Sequence, residues 1–159
     1  MKGDITVHFD GAAHPNPGLA SWGFTIDVPG QLQVRKKGMC PGDERSNNEA
    51  EYIAMGMALR YVHDHATELA GHRLVVLGDS QLVIRQMTGK YQCNEKLSPL
   101  LNRAKQVCKG IEVAGFPPII FEHIPGEQNP EADRLSKEAW EEFTGQKFPV
   151  YPKKVKKWA

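Results

Sequence analysis

Three aspartates stand where a chain of this kind could hold a ligand. Asp10 follows the alternating run Ile5, Val7, Phe9, Asp79 follows the apolar run "LVVLG", and Asp133 falls in the first turn of a helical segment opened by Asn129 and Pro130. Strand ends are where α/β proteins place their ligands. Each acid also has a plain structural explanation: "DG" at Asp10 and Gly11 is a turn signal, Asp79 can cap a helix starting at Ser80, and Asp133 favours the positive end of a helix dipole. Two glutamates add to the set. Ser46 followed three residues later by Glu49 reads as a capping box. Successive helical residues rotate by about 100°, so Glu49 and Glu51 lie on opposite flanks of the apolar stripe centred near Ala50. Only one can face a common site, and periodicity leaves open which. Were three aspartates and one glutamate to converge, their repulsion would require protons or cations. Oxygen donors without His or Cys select Mg²⁺ or Mn²⁺, and two such ions about 4 Å apart would suit phosphodiester hydrolysis.

The elements that must carry these acids are legible from periodicity. "DITVHF", "SWGFTIDV" and "QLQVRKK" alternate like strands, with Pro29 and Gly30 as a hairpin turn between the last two. From Ser46 the period changes: Ala50, Ala54, Met57, Ala58 and Tyr61 form a helical stripe that should run to about His65. "HRLVVLGD" reads as a buried parallel strand leading into a helix ended by Gly89. "EKLSPLLNRAKQVCKG" is a further helix, "PPIIFEH" a further strand, and "NPEADRL" opens the last helix with Asn129 as N-cap and Pro130 at the first helical position. The order β-β-β-α-β-α-α-β-α implies an α/β fold, a mixed sheet flanked by helices.

Taken together, these residues resemble type 1 ribonuclease H, a family that cuts the RNA strand of RNA–DNA hybrids. The resemblance is carried by "DGAAHPNPGLASWG", "SNNEAEYIA", "DSQLVIRQ" and "HIPGEQNPEAD", four motifs in order from Asp10 to Asp133. It implies a ribonuclease H-like fold with a five-stranded sheet, three antiparallel strands then two parallel. It assigns the catalytic glutamate, three residues after the paired asparagines, to Glu51 and leaves Glu49 to its cap. Asp10, Glu51, Asp79 and Asp133 then correspond to the family's metal-binding carboxylates, holding two Mg²⁺ or Mn²⁺ ions when substrate is bound. His123 matches the histidine of the family's mobile loop, which assists water activation or product release. Gly11, Asn16, Ser46, Asn47, Asn48 and Gln81 match substrate-contacting positions, and the polar side chains among them suit sugar hydroxyls, base edges and phosphate oxygens. The implied enzyme is a metal-dependent endoribonuclease leaving 5′-phosphate and 3′-hydroxyl ends, with RNA–DNA hybrid as substrate and double-stranded RNA as a second candidate. Many members carry a basic, Trp-rich protrusion; the corresponding "GKYQCNEKL" is short and nearly neutral, as in the compact branch of the family.

The whole chain agrees with such a protein. Its 159 residues, 40% hydrophobic and 25% charged, suffice for one globular domain without staples. Cys40, Cys93 and Cys108 match no zinc spacing and read as free thiols suited to a reducing compartment. The apolar stretches are too short to cross a bilayer and "MKGDITV" lacks the apolar core of a signal peptide, so a cytoplasmic protein, a monomer with no membrane partner, is expected. The net charge of +1 conceals an asymmetry: five of the twenty basic residues fall in the last fourteen, which carry no acid, leaving fifteen bases against nineteen acids in the body. We therefore divide the chain into a catalytic domain, 1–145, and a basic tail, 146–159, whose Lys147, Lys153, Lys154, Lys156 and Lys157 alternate with Phe148, Tyr151 and Trp158.

Overall fold

The computed structural model describes residues 2–150. Strands β1 (Ile5–His14), β2 (Leu19–Asp27) and β3 (Val34–Met39) form an antiparallel meander, while β4 (Leu74–Gly78) and β5 (Ile120–His123) add in parallel beyond β1. The order β3-β2-β1-β4-β5 is the expected five-stranded mixed sheet. Between β2 and β3 the Pro29–Gly30 turn is closed by the Gln31 amide donating to the Val28 carbonyl at 3.0 Å. The helices are α1 (Asn47–Asp64), α2 (Ala66–Leu69), α3 (Gln81–Met87), α4 (Ser98–Val113) and α5 (Pro130–Thr144), with a 3-10 turn at Gly126–Gln128. Residues 88–97 join α3 to α4 without a helix, in line with the compact branch. Among the described residues no helix is long and apolar enough to cross a membrane.

The two principal helices pack on opposite faces of β1 and β2. On one, α1 buries Ala54, Met55, Ala58, Leu59 and Val62 against Ile5, Val7 and Phe9 of β1. The buried stripe is rotated slightly from the one read in sequence: Met55 is fully buried and Met57 is 39% exposed. On the other, α5 covers β2, with the Ser21 hydroxyl donating to the Ser136 carbonyl at 2.6 Å. Two glycines permit these approaches. A side chain at Gly11 would collide with the backbone of Ala50 and Glu51 in α1, and one at Gly23 with the backbone of Ala132 and Ser136 in α5.

Four local readings change in three dimensions. Asp10 does not end β1, because the small residues Gly11, Ala12 and Ala13 continue the antiparallel pairing with β2 as far as His14 opposite Leu19. What ends there is the parallel ladder to β4, whose last pair is Phe9 with Gly78. Asp79 does not cap α3, since the Ser80 hydroxyl takes that role, accepting from the Val83 amide at 3.3 Å. Helix α4 starts at Ser98 rather than Glu95, because the Asn94 side chain accepts from the Leu97 amide at 2.9 Å and holds the preceding residues in a turn. Asn129 occupies the N-cap position of α5 without capping it. Its side-chain amide is spent on the Phe9 carbonyl, 2.9 Å away. Of the tail, 151–159 lie outside the described residues, and with them Tyr151, Trp158 and four of the five lysines.

Candidate active site

The parallel ladders place two of the acids. Phe9 pairs with Gly78, and Gly78 with His123, so one rung crosses β1, β4 and β5. One residue further along, Asp10 and Asp79 stand side by side on neighbouring strands, where the rungs run out. Because side chains alternate along a strand, Asp10 lies on the α5 side with its partner Gly23, and Gly11 lies on the α1 side. There the bare backbone of Gly11 lets α1 close in until the Gly11 amide donates to Glu51 Oε1. One oxygen each from Asp10, Glu51 and Asp79 lie within 4.8 Å of one another.

Asp133 arrives from the opposite helix. It lines the same cavity of about 460 Å³ as Asp10 and Asp79, together with Gly11, Ala12, Ala13, Asn16, Asn47 and Phe148. It stands apart from the three-oxygen cluster and is paired with Lys137, one turn on in α5, at 3.1 Å. The hydrogen bond from Asn129 to the Phe9 carbonyl fastens the start of α5 to the strand one residue before Asp10, which fixes where Asp133 enters.

Glu49 and Glu51, two residues apart, have opposite environments. Glu49 completes the capping box: its amide donates to Ser46 Oγ at 3.1 Å, and its carboxylate accepts from the Ser46 amide at 3.2 Å. Burial works to raise its pKa, but hydrogen bonds from Arg45 and the Ser46 amide, with the charge of Lys96, outweigh it and hold the group below the usual glutamate range. Among the described residues no Lys or Arg pairs with Glu51. Burial first, then the charges of Asp79 and Asp133, push it up to about 7 against the help of Asp10 and the Gly11 amide. Asp10, 7% exposed, is raised well above the aspartate range by burial and then by Glu51. Asp79 is raised by burial and Asp133, with its own amide and His123 opposing. Buried carboxylates that resist ionising beside one another form a site that a bound cation would stabilise. An all-oxygen donor set suits a hard divalent cation.

The remaining sequence candidates divide. Asn16 and Asn47 line the cavity and are mutually braced: Asn16 Oδ1 accepts from the Asn47 amide at 3.0 Å, and Asn47 Oδ1 from the Ala13 amide at 2.9 Å. Gly11 lines it through its backbone. Ser46, Asn48, Gln81 and His123 stand outside the cavity wall, Ser46 engaged in its cap and Asn48, Gln81 and His123 exposed. His123 closes β5, so it is seated in the sheet rather than in the loop that follows. Sequence reasoning missed Lys137, whose signal was its spacing of four from Asp133. It named Phe148 only as a tail aromatic, without a place in the cavity.

A mixed sheet in this order, with carboxylates converging where its parallel ladders end, defines a ribonuclease H-like protein. The sequence profile of the family described as reverse transcriptase-like matches residues 8–139. Ribonuclease HI of Halobacterium salinarum is 33% identical over 137 residues, 86% of this chain and 64% of that protein, so the chain spans somewhat less than two thirds of this relative. The crystal structure of RNase H1 from the same archaeon superposes with a TM-score of 0.74 at 31% identity, covering 88% of this chain and 99% of that one. LC11-RNase H1, solved in complex with RNA/DNA hybrid, gives the same TM-score, identity and coverage. The chain belongs to the reverse transcriptase-like family, in its type 1 ribonuclease H branch. That family uses divalent metal, in keeping with the acidic cluster.

Proposed function

We propose that this protein is an endoribonuclease that hydrolyses the RNA strand of RNA–DNA hybrids, leaving 5′-phosphate and 3′-hydroxyl ends. The observation that carries this reading is the convergence of Asp10, Glu51 and Asp79 within 4.8 Å, with Asp133 on the same cavity. These four would hold two Mg²⁺ or Mn²⁺ ions, which when bound supply the positive charge that activates water and stabilises the leaving oxygen. The chain's own residues do the rest. The Gly11 amide orients Glu51, Lys137 holds Asp133, and Asn16 and Asn47 present amides at the cavity wall, suited to a 2′-hydroxyl. His123, beside Asp79, is exposed to solvent and placed to exchange protons there. We place the enzyme in the cytoplasm, a reading supported by its three free thiols, and assign the lysines of the tail to the backbone of the hybrid.

Cleavage of labelled hybrid, duplex RNA and duplex DNA side by side, with Mg²⁺ and Mn²⁺ titrated separately, tests the proposal. Hybrid cleavage that depends on either ion is expected. A protein that leaves the hybrid intact with both ions would overturn it, and equal cleavage of duplex RNA would widen the substrate class.

A further inference from the structure

Among the described residues Phe148 is the single aromatic ring in the wall of the acidic cavity, whose other lining residues are three aspartates, two asparagines, Gly11 and the small Ala12 and Ala13. Its place is held from several sides. Gly145 turns the chain back at the end of α5 with φ of 71°, and the Phe148 amide then donates to Glu141 Oε2 at 2.8 Å. The ring meets Trp140 edge-on at 5.1 Å and His14 at 6.0 Å, and Lys137 Nζ lies 5.8 Å from its centre while pairing with Asp133. Here β1 and α5 together seat one partly buried ring beside the carboxylates of the cavity.

An apolar surface among carboxylates and amides binds the apolar part of what enters, and the apolar parts of a nucleotide are its base face and the C–H faces of its ribose. We infer that Phe148 is a substrate-positioning residue, the wall against which a nucleotide of the RNA strand rests next to Asp133. The inference rests on the proposed function and adds a contact that the tail lysines cannot supply. Phosphate contacts set the register of the backbone, whereas an immobilised ring offers a base or sugar a face to rest on.

Three substitutions test it, each measured for cleavage in the otherwise native chain and for hybrid affinity, by fluorescence anisotropy, in an Asp10→Asn background. Phe148→Ala should raise KM and Kd about tenfold, the scale of one lost aromatic contact to a base, with kcat at saturating hybrid changed much less. Phe148→Leu fills the niche against Trp140 and should melt within a few degrees of the parent, yet should keep most of the rise in KM and Kd. Phe148→Tyr keeps the ring and should restore both. A leucine variant with the parent's KM and Kd would overturn the inference, assigning any loss in the alanine variant to release of the C-terminal segment. A parent chain that neither binds nor cleaves hybrid would overturn this inference and the functional reading together, whereas a cleaving parent with an indifferent Phe148 would overturn this inference alone.

Discussion

At Asp10 a single exchange of oxygen for nitrogen removes a charge and keeps the shape. Asp10→Asn should therefore abolish metal-dependent cleavage while leaving a folded protein that still binds hybrid, and Glu51→Gln should do the same. Glu49→Gln should leave turnover in place and cost about 1 kcal/mol of stability, since it weakens a helix cap and leaves Arg45 without its partner at 2.8 Å. Thermal melting and a cleavage assay on the three proteins separate these outcomes; loss of turnover in the Glu49 variant would mean that the wrong glutamate has been assigned. His123→Ala should slow turnover without abolishing it, and the deficit should shrink as pH rises, because hydroxide increasingly does the work of a solvent-facing base. A rate unchanged at every pH would return His123 to an ordinary surface role. Sequence alone reached the cap function of Glu49 from the spacing to Ser46, but only the motif selected Glu51. The reason is physical: a helical wheel reports which side a residue faces, and both glutamates are buried, one against Arg45 and the other against Asp10.

Elements, in turn, aim the acids through backbone contacts that sequence signals only hint at. "DG" at Asp10–Gly11 reads as a turn, yet the glycine is there for the approach of α1, and the strand runs on through it. Gly11→Ala should thus be costly in two respects. The new methyl meets backbone atoms of α1 that cannot move aside, so stability should fall by about 1–3 kcal/mol, and Glu51 should be pushed from Asp10, taking most of the activity with it. Ser80→Ala removes a cap on the neighbouring α3 and should cost about 1 kcal/mol with activity largely kept. If the two variants lost activity in proportion to stability, the close approach at Gly11 would have no special bearing on the site. The strands and three of the helix starts were legible because each rests on local periodicity or a cap, whereas the five-stranded arrangement came from the resemblance. The role of Asn129 was not. Its cap signature is local, while the bond to the Phe9 carbonyl spans 120 residues of sequence. Phe148 was hidden for the same reason, since its partners lie on β1 and α5.

Across the whole molecule the acidic cluster should couple folding to pH and to metal. Without divalent cation, folding raises the pKa of Glu51 from 4.5 to about 7 and that of Asp10 in the same direction, so the folded state binds more protons than the unfolded one between those values. The stability this confers is full below about pH 4.5 and is lost as pH rises through about 7. Glu49, held low by its partners, acts oppositely, and its contribution fades as pH falls below its unfolded value of 4.5. Melting temperature in chelator should therefore peak at about pH 4.5, where the two contributions cross. Saturating Mg²⁺ or Mn²⁺ at pH 8 should raise it by several degrees and shift the peak upward, because a cation replaces the protons. Superimposable profiles with and without metal would contradict the site. The two glycine contacts have one further consequence. At Gly11 the spacing between helix and sheet is one main chain against another, and at Gly23 it is main chain against the backbone of Ala132 and Ser136 and the Cβ of Leu135, so neither spacing is set by a large side chain lodged between them. The dimensions of the carboxylate cluster are thereby insulated from drift elsewhere: Leu59 or Val62 can be traded for smaller residues, and the protein should melt earlier while its surviving folded molecules turn over substrate at an undiminished rate.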